Sequence, residues 1–588
     1  MASGPRIDRI ATKPTYLSAV YGAEVVSTTQ PSRELFGLYG PQDRFERVRS
    51  LEEFDRLLRG ESVTVGVSDP AIGIPGRTAL HRSDEGFCVV WGEAFSPSDA
   101  EGSVAAWLFD RYGAVGIDAF SEINGSYVAV IEADGEAVVV TDPIRSWECF
   151  VAESPRGRVF GTDAAAVARS LPTPTVDRRG LREFVHFGVV LGDRTLVRGV
   201  ERLPFDAALF ERRTESLTRF VYDPRIVDHT GELARRLERA VDRRSGYPRP
   251  GGMLMSAGYD SRLLLATLAD LDVCYTLGEP DDPEVATARR LCEQYGKRHR
   301  TLPVTEAYLD ARPEVVRRTN GVRESIHVHH RGSAAGITAP TIYHGLLLDS
   351  LLRDHYLPRD QIAVLHKRFP LDRLDARPDV AERFARKLDF AGGDGRLLVR
   401  ADGPETPEGF LEEAIEAEFD RCLGRSESIH NAMALMGVRL KPALPFRTDL
   451  AADHVESLVA ADSELLDWHL TTPPEFRNDE TYQAALELID PAIFDHRPPD
   501  RPHRSYQLNQ LEKFLRRLTP GLEPFATPWP DRDRIYREND LDRRLFPDRP
   551  DLHELSPRTK LRINDARVWL GSVLDDGTSV DELIRSPG

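Results

Sequence analysis

Short apolar runs dominate the first two hundred positions of the chain. Val63–Val67, Phe87–Trp91, Tyr127–Ile131 and Ala137–Val140 are rich in β-branched and aromatic residues and are separated by turn signals such as Asp134-Gly135. Runs of that length and spacing predict hairpins in packed sheets. The pattern changes near Asp228, where apolar residues recur at helical spacing as far as Arg244 and predict an amphipathic helix. Met253-Leu254-Met255 then reads as a strand that stops at Ser256-Ala257-Gly258 and restarts as a helix through Leu263, Leu264 and Leu265. Val273–Gly278 predicts a second buried strand, followed by a helix through Ala286, Ala288, Leu291 and Cys292. Ala339–Leu348 is a third strand-like run, ending at a turn to a helix beside Asp349. Such strand–helix alternation predicts a parallel sheet whose strand ends face one crevice.

The first strand–helix turn carries the chemistry. A helix that starts at small residues leaves backbone N–H groups unpaired where the macrodipole favours an anion such as pyrophosphate. Ser256 and Ser261 add hydroxyls, Gly258 allows close approach, and Asp260 adds a carboxylate suited to Mg²⁺ beside phosphates. An adenosine would lie between Met255 and the tip of the second strand at Leu277. The bland alternative is a buried turn whose small residues only permit packing.

Ser256-Ala257-Gly258-Tyr259-Asp260-Ser261 resembles the Ser-Gly-Gly-x-Asp-Ser pyrophosphate loop of the ATP-pyrophosphatase superfamily, with Ala257 at the first glycine. The order of the three motifs is similar to the synthetase domain of the asparagine synthetase family. That resemblance implies that His344 and Gly345 stand beside the nucleotide and that Asp349 is the second metal carboxylate, with Ser350 in place of the family's terminal Glu. Arg439–Leu450 resembles a further family segment, keeping Pro445-Phe446 but not its Arg and Glu, and the family's catalytic lysine has no clear counterpart near Arg425–His430. No catalytic residue is assigned.

Leu35–Gly40, Trp91–Phe95, Ile123–Tyr127 and Gly161–Asp163 look like landmarks of a class II glutamine amidotransferase domain, the usual N-terminal partner of such a synthetase. The implied fold is an αββα amidotransferase-like sandwich followed by a parallel-sheet α/β nucleotide-binding domain. The family's nucleophile is a cysteine exposed after removal of the initiator Met, its own amine acting as base. Here Met1 is followed by Ala2 and Ser3, and Phe36 stands at the aligned position, so glutaminase activity is not expected. The expected organisation is an extension over 1–32, the amidotransferase-like domain over 33–222 with its last strand ending at Phe220–Pro224, the ATP-binding domain over 223–520, and a C-terminal tail over 521–588. A Gly/Pro/Asp loop is expected over 391–409.

Composition narrows the rest. Among 588 residues, 95 acidic against 77 basic ones give a net charge of −18, which disfavours a nucleic-acid backbone as partner. Seven of the basic residues are lysines, an Arg-for-Lys usage that with abundant Asp and Glu suits a halophile-like acidic surface. Cys88, Cys149, Cys274, Cys292 and Cys422 show no CxxC spacing and read as buried thiols of a reducing compartment. No run approaches the roughly 18 apolar residues of a membrane span, so a cytoplasmic protein is expected. His327, His329 and His330, read as a strand segment, lack partners for zinc. Arg477, Arg497, Arg501 and Arg504 lie where family members place basic residues against pyrophosphate, though a solvated basic face fits equally. The expected activity is ATP-dependent activation of a small-molecule carboxylate as an acyl-adenylate, with Mg²⁺, for attack by ammonia or an amine. The alternative is a non-catalytic nucleotide-binding or scaffold protein, and a homodimer remains open.

Overall fold

The computed structural model describes residues 33–584, except 99, 310–311, 365–366, 393–398, 401–402, 405, 520, 524, 526–528 and 575–579. The expected N-terminal extension, including Ala2 and Ser3, and much of the 391–409 loop lie outside the described residues.

The N-terminal half is two six-stranded antiparallel sheets. One runs in the order Val200–Arg202, Phe150–Ser154, Gly157–Gly161, Glu34–Tyr39, Val63–Ser68, Arg56–Arg59. The other runs Thr214–Ser216, Ala207–Leu209, Glu136–Thr141, Asn124–Ala133, Gly86–Phe95, Ala79–Arg82. Strand period explains why whole segments are apolar: Val89, Trp91, Val128 and Val130 face the other sheet, while Cys88, Val90, Ala129 and Ile131 face the helix Val104–Val115. The helices Ala164–Ala168 and Arg178–Phe187 cover the far side of the first sheet, completing an αββα sandwich. At the Asp134-Gly135 turn both residues have positive φ, +51° and +75°, as a two-residue hairpin turn requires.

The second half is built on a five-stranded sheet, all parallel, in the order Arg298–Leu302, Leu271–Leu277, Gly251–Leu254, Thr341–His344, Val455–Leu458. The helix His229–Asp242 enters it with Leu233, Ala234, Leu237, Ala240 and Val241 buried and the Asp228 carboxylate capping the Gly231 N–H. Strand order reverses at Gly251–Leu254. The strand after it in sequence lies on one side and Thr341–His344 on the other, which opens a crevice at their carboxyl ends.

Three expectations need correction. Phe220–Pro224 is not a strand; the last sandwich strand is Thr214–Ser216, and Phe220 and Tyr222 run on to bury themselves in the core of the second half. His327 lies on a 3₁₀ turn, Ser325–His327, and not on a strand. The segment after 520 is not a tail. Its helix Pro557–Gly571 buries Ile563, Ala566, Trp569 and Leu570 against the sandwich's outer helices, and Arg562 donates from Nε to Glu324 Oε2 at 2.9 Å.

The halves join through buried polar groups. Glu93 is fully enclosed and accepts from Arg77 Nη1 (3.3 Å), Arg244 Nε (3.0 Å), Tyr247 Oη (2.9 Å) and Ser457 Oγ (2.6 Å). Arg447 donates to Ser146 O at 3.0 Å, and Lys441 Nζ donates to Ile144 O at 2.7 Å.

Candidate functional site

The loop Met255–Gly258 leads into the helix Tyr259–Thr267 at the carboxyl end of the central strand, beside the point where strand order reverses. Its donors are all engaged. The Ser256 N–H and Oγ meet Ser261 Oγ at 3.2 and 3.0 Å, the Gly258 N–H donates to Ser256 Oγ at 3.2 Å, and the Ala257 N–H donates to Glu284 Oε1 at 2.6 Å. A carboxylate therefore stands where the helix N-terminus favours an anion. Burial raises the Glu284 carboxyl above its ordinary value, against the pull of the Ala257 N–H. Gly258 has a φ of −74°, and Ala257 is not among the described residues with positive φ, so the methyl group at the family's first glycine introduces no backbone strain.

Met255 contributes backbone and packing. Its side chain is buried, its N–H donates to Tyr275 O at 2.8 Å, and its carbonyl accepts from Thr276 Oγ1 at 2.9 Å. Leu277 and Gly278 line a cleft of about 200 Å³ that continues past Glu284 to Trp529 and Ile535. Trp529 stacks on His329 with ring centroids 3.8 Å apart and planes 16° from parallel. This aromatic wall comes from the C-terminal segment, and nothing in the local sequence around Trp529 marks it for the site.

Gly345 stands directly against Asp260: a Cβ there would lie 2.7 Å from the Asp260 Cβ. The third motif is thus brought onto the first. Asp349 follows on the helix Leu348–Leu352 and accepts from Ser350 Oγ at 3.2 Å. His344 is placed elsewhere. Its Nε2 lies 2.7 Å from Glu456 Oε1 and its Nδ1 accepts the Leu346 N–H at 3.4 Å, which makes it part of the buried network between the halves.

At the expected metal pair, Asp260 is engaged by an arginine. Asp260 Oδ2 accepts from Arg353 Nη2 at 2.7 Å, and Arg353 Nη1 reaches Asp479 Oδ1 at 3.1 Å. Burial raises the Asp260 carboxyl; Arg353 opposes that rise and Asp349 adds to it. Among the described residues no group of three or more His, Cys, Asp or Glu side chains converges as a metal site. Asp260 therefore meets a guanidinium on the side where the resemblance implies a divalent ion.

Two further groups border the crevice. Lys387 Nζ lies 2.6 Å from His355 Nε2, and His355 Nδ1 lies 3.9 Å from Asp349 Oδ2. Burial, then Arg383, pushes the Lys387 ammonium down to about 7, and burial pushes His355 down to about 4. Lys387 sits in the helix Val380–Leu388, more than thirty residues past the third motif, so only the fold brings it near. Of the four candidate arginines, Arg501 faces the loop, its guanidinium 5.7 Å from the Tyr259 ring and 3.9 Å from Asp479. Arg497 is felt at Arg262 on the same helix. Arg504 pairs with the partly exposed Glu487. Arg477 is buried on Asp354 at 2.6 Å and on the carbonyls of His469 and Thr472.

Comparison with known proteins gives a family match over one stretch: residues 232–329 match the model of the asparagine synthase family. No curated protein matches the chain. Solved structures similar to it include one titled as the allosteric regulatory enzyme of purine biosynthesis, at 12% identity and a TM-score of 0.22, covering 55% of this chain and 76% of that one. Another is a glutamine phosphoribosylpyrophosphate amidotransferase from B. subtilis complexed with ADP and GMP, at 11% identity and a TM-score of 0.21, covering 61% of this chain and 84% of that one. No helix among the described residues is long and apolar enough to cross a membrane.

Proposed function

We propose that the chain is an asparagine synthetase-like, ATP-dependent carbon–nitrogen ligase that activates a small-molecule carboxylate as an acyl-adenylate and passes it to ammonia or an amine. The observation that carries this reading is the contact of Gly345 with Asp260. It joins the Ser256–Ser261 loop, inside the stretch that matches the asparagine synthase family, to a second motif ninety residues away. In this reading the adenosine occupies the cleft from Leu277 to Trp529, and the phosphates displace Glu284 from the loop. A carboxylate oxygen attacks the α-phosphorus, pyrophosphate leaves toward the loop donors, and the amine then attacks the acyl carbon, releasing AMP.

The nitrogen comes from ammonia or an amine and not from glutamine, because Phe36 supplies no nucleophile and all five cysteines are buried. ATP–pyrophosphate exchange across a panel of amino-acid and sugar acids tests the reading. One acid supporting exchange is the expected result; ATP binding without exchange for any acid would favour the second reading. That reading, a non-catalytic nucleotide-binding protein, draws on the ion pair that Arg353 makes with Asp260.

A further inference from the structure

We propose that Arg353 is a built-in cation of the nucleotide site, standing where a divalent ion would otherwise neutralise Asp260, so that ATP binds this chain with little dependence on Mg²⁺. The inference rests on the nucleotide-binding reading above. Asp260, Asp479 and Asp349 each have a cationic or imidazole neighbour already. Arg353 spans Asp260 at 2.7 Å and Asp479 at 3.1 Å through separate nitrogens. Arg501 stands 3.9 Å from the other Asp479 oxygen. Asp349 has His355 at 3.9 Å, and His355 in turn has Lys387.

The Arg353 side chain is only 11% exposed, and its guanidinium rests over the Tyr482 ring at 5.2 Å. Its position is therefore fixed before any ligand arrives, and the entropy of immobilising a long side chain is already lost. The two carboxylates engage Nη1 and Nη2, while the Nε–H is buried with no acceptor among the described residues. A planar fork with a donor to spare, held beside the loop, suits a phosphate oxygen. Asp260 tells the same story from the other side: one oxygen is on Arg353, and Gly345 closes against its Cβ. A metal bound there would have to displace a buried guanidinium from Asp260 and leave it on Asp479 alone.

Titration calorimetry of the full chain with ATP, in excess Mg²⁺ and again in EDTA, tests this without any variant. The dissociation constant should change by less than about threefold between the two conditions. Arg353→Met should weaken ATP binding in EDTA by about tenfold or more, the size of one charge-assisted contact, and Mg²⁺ should recover part of the loss because Asp260 is then free. Arg353→Lys, which keeps the charge without the fork, should fall between, and thermal melts verify that both variants fold. Tight binding in Mg²⁺ that disappears from the wild-type chain in EDTA would overturn the inference and leave the nucleotide-binding reading standing. Absence of ATP binding in both conditions would overturn both.

Discussion

Phe36, where the resemblance to an amidotransferase would set a nucleophile, and the loop at the head of the parallel sheet both invite a chemical reading, and the protein fills the two positions in opposite ways. Phe36 is completely buried, set edge-on to Phe45 at 5.8 Å with the Arg49 guanidinium 5.0 Å from its ring. Beside it, Gly37 lies so close to Phe160 that a Cβ would stand 2.1 Å from that ring. Close packing of this kind opens only by leaving a cavity, so the apolar plug is permanent. The loop is filled by Glu284 on the Ala257 N–H and by Arg353 on Asp260. Charged groups that satisfy each other can be exchanged for a ligand of matching charge. The difference separates a site closed by packing from one closed by paired charges.

The two halves are joined by buried polar groups, and the largest expected effect lies there. Glu93→Ala removes the acceptor shared by Arg77, Arg244, Tyr247 and Ser457, leaving Arg77 the Glu456 carbonyl and Arg244 the Asp462 carboxylate, at a cost of about 3–5 kcal/mol. Urea denaturation should show one transition at lower midpoint; two separate transitions would mean that the halves are independent. Phe36→Ala should cost about 3 kcal/mol by cavity formation in the same measurement. Phe36→Cys should release no ammonia from glutamine, since the thiol would lie mid-chain without an α-amine as base, and ammonia release above background would break the contrast between the two sites.

A pH titration of stability probes the junction. Burial alone would raise the Glu456 carboxyl, but Arg447, then His344 and Arg77, hold it at about 2 against an ordinary 4.5. The unfolded chain takes up that proton first. The contribution, on the order of 3 kcal/mol, is therefore complete above about pH 4.5 and is lost as pH falls toward 2. Glu456→Gln should flatten that part of the stability profile; an unchanged profile would remove Glu456 from the junction's electrostatics.

The smallest effect lies at the loop. Glu284→Gln removes the resident anion, and ATP should bind several-fold more tightly in calorimetry, about 1 kcal/mol for one competing hydrogen bond. Weaker binding would make Glu284 a ligand-binding group and not a competitor.

Local pattern determined a good deal. The alternating runs and the Asp134-Gly135 turn specify hairpins because side chains on a strand alternate between faces and only certain residues accept positive φ. The strand–loop–helix at Met255–Leu265 was equally legible, because its apolar strand, small residues and leucine-rich helix are contiguous. Two strands of the parallel sheet were not: Arg298–Leu302 is an edge strand of mostly polar residues, and Val455–Leu458 buries the polar Glu456 and Ser457, which no apolar pattern marks.

The candidate site divides along the same line. Ser256, Gly258 and Ser261 are neighbours in sequence and stay together through bonds within one turn. What surrounds them depends on chain crossings that no short window contains. The strand reversal sets Gly345 against Asp260, the helix Leu348–Leu352 ends where Arg353 can reach that carboxylate, and the C-terminal segment folds back to place Trp529 over His329. His344 stands where the family motif has its Ser, yet a buried glutamate on the next strand takes its ring. Sequence by itself fixed which backbone could cradle an anion; only the tertiary structure decided which charges face it, because the energy of a charge in a partly buried site depends on partners brought from distant parts of the chain.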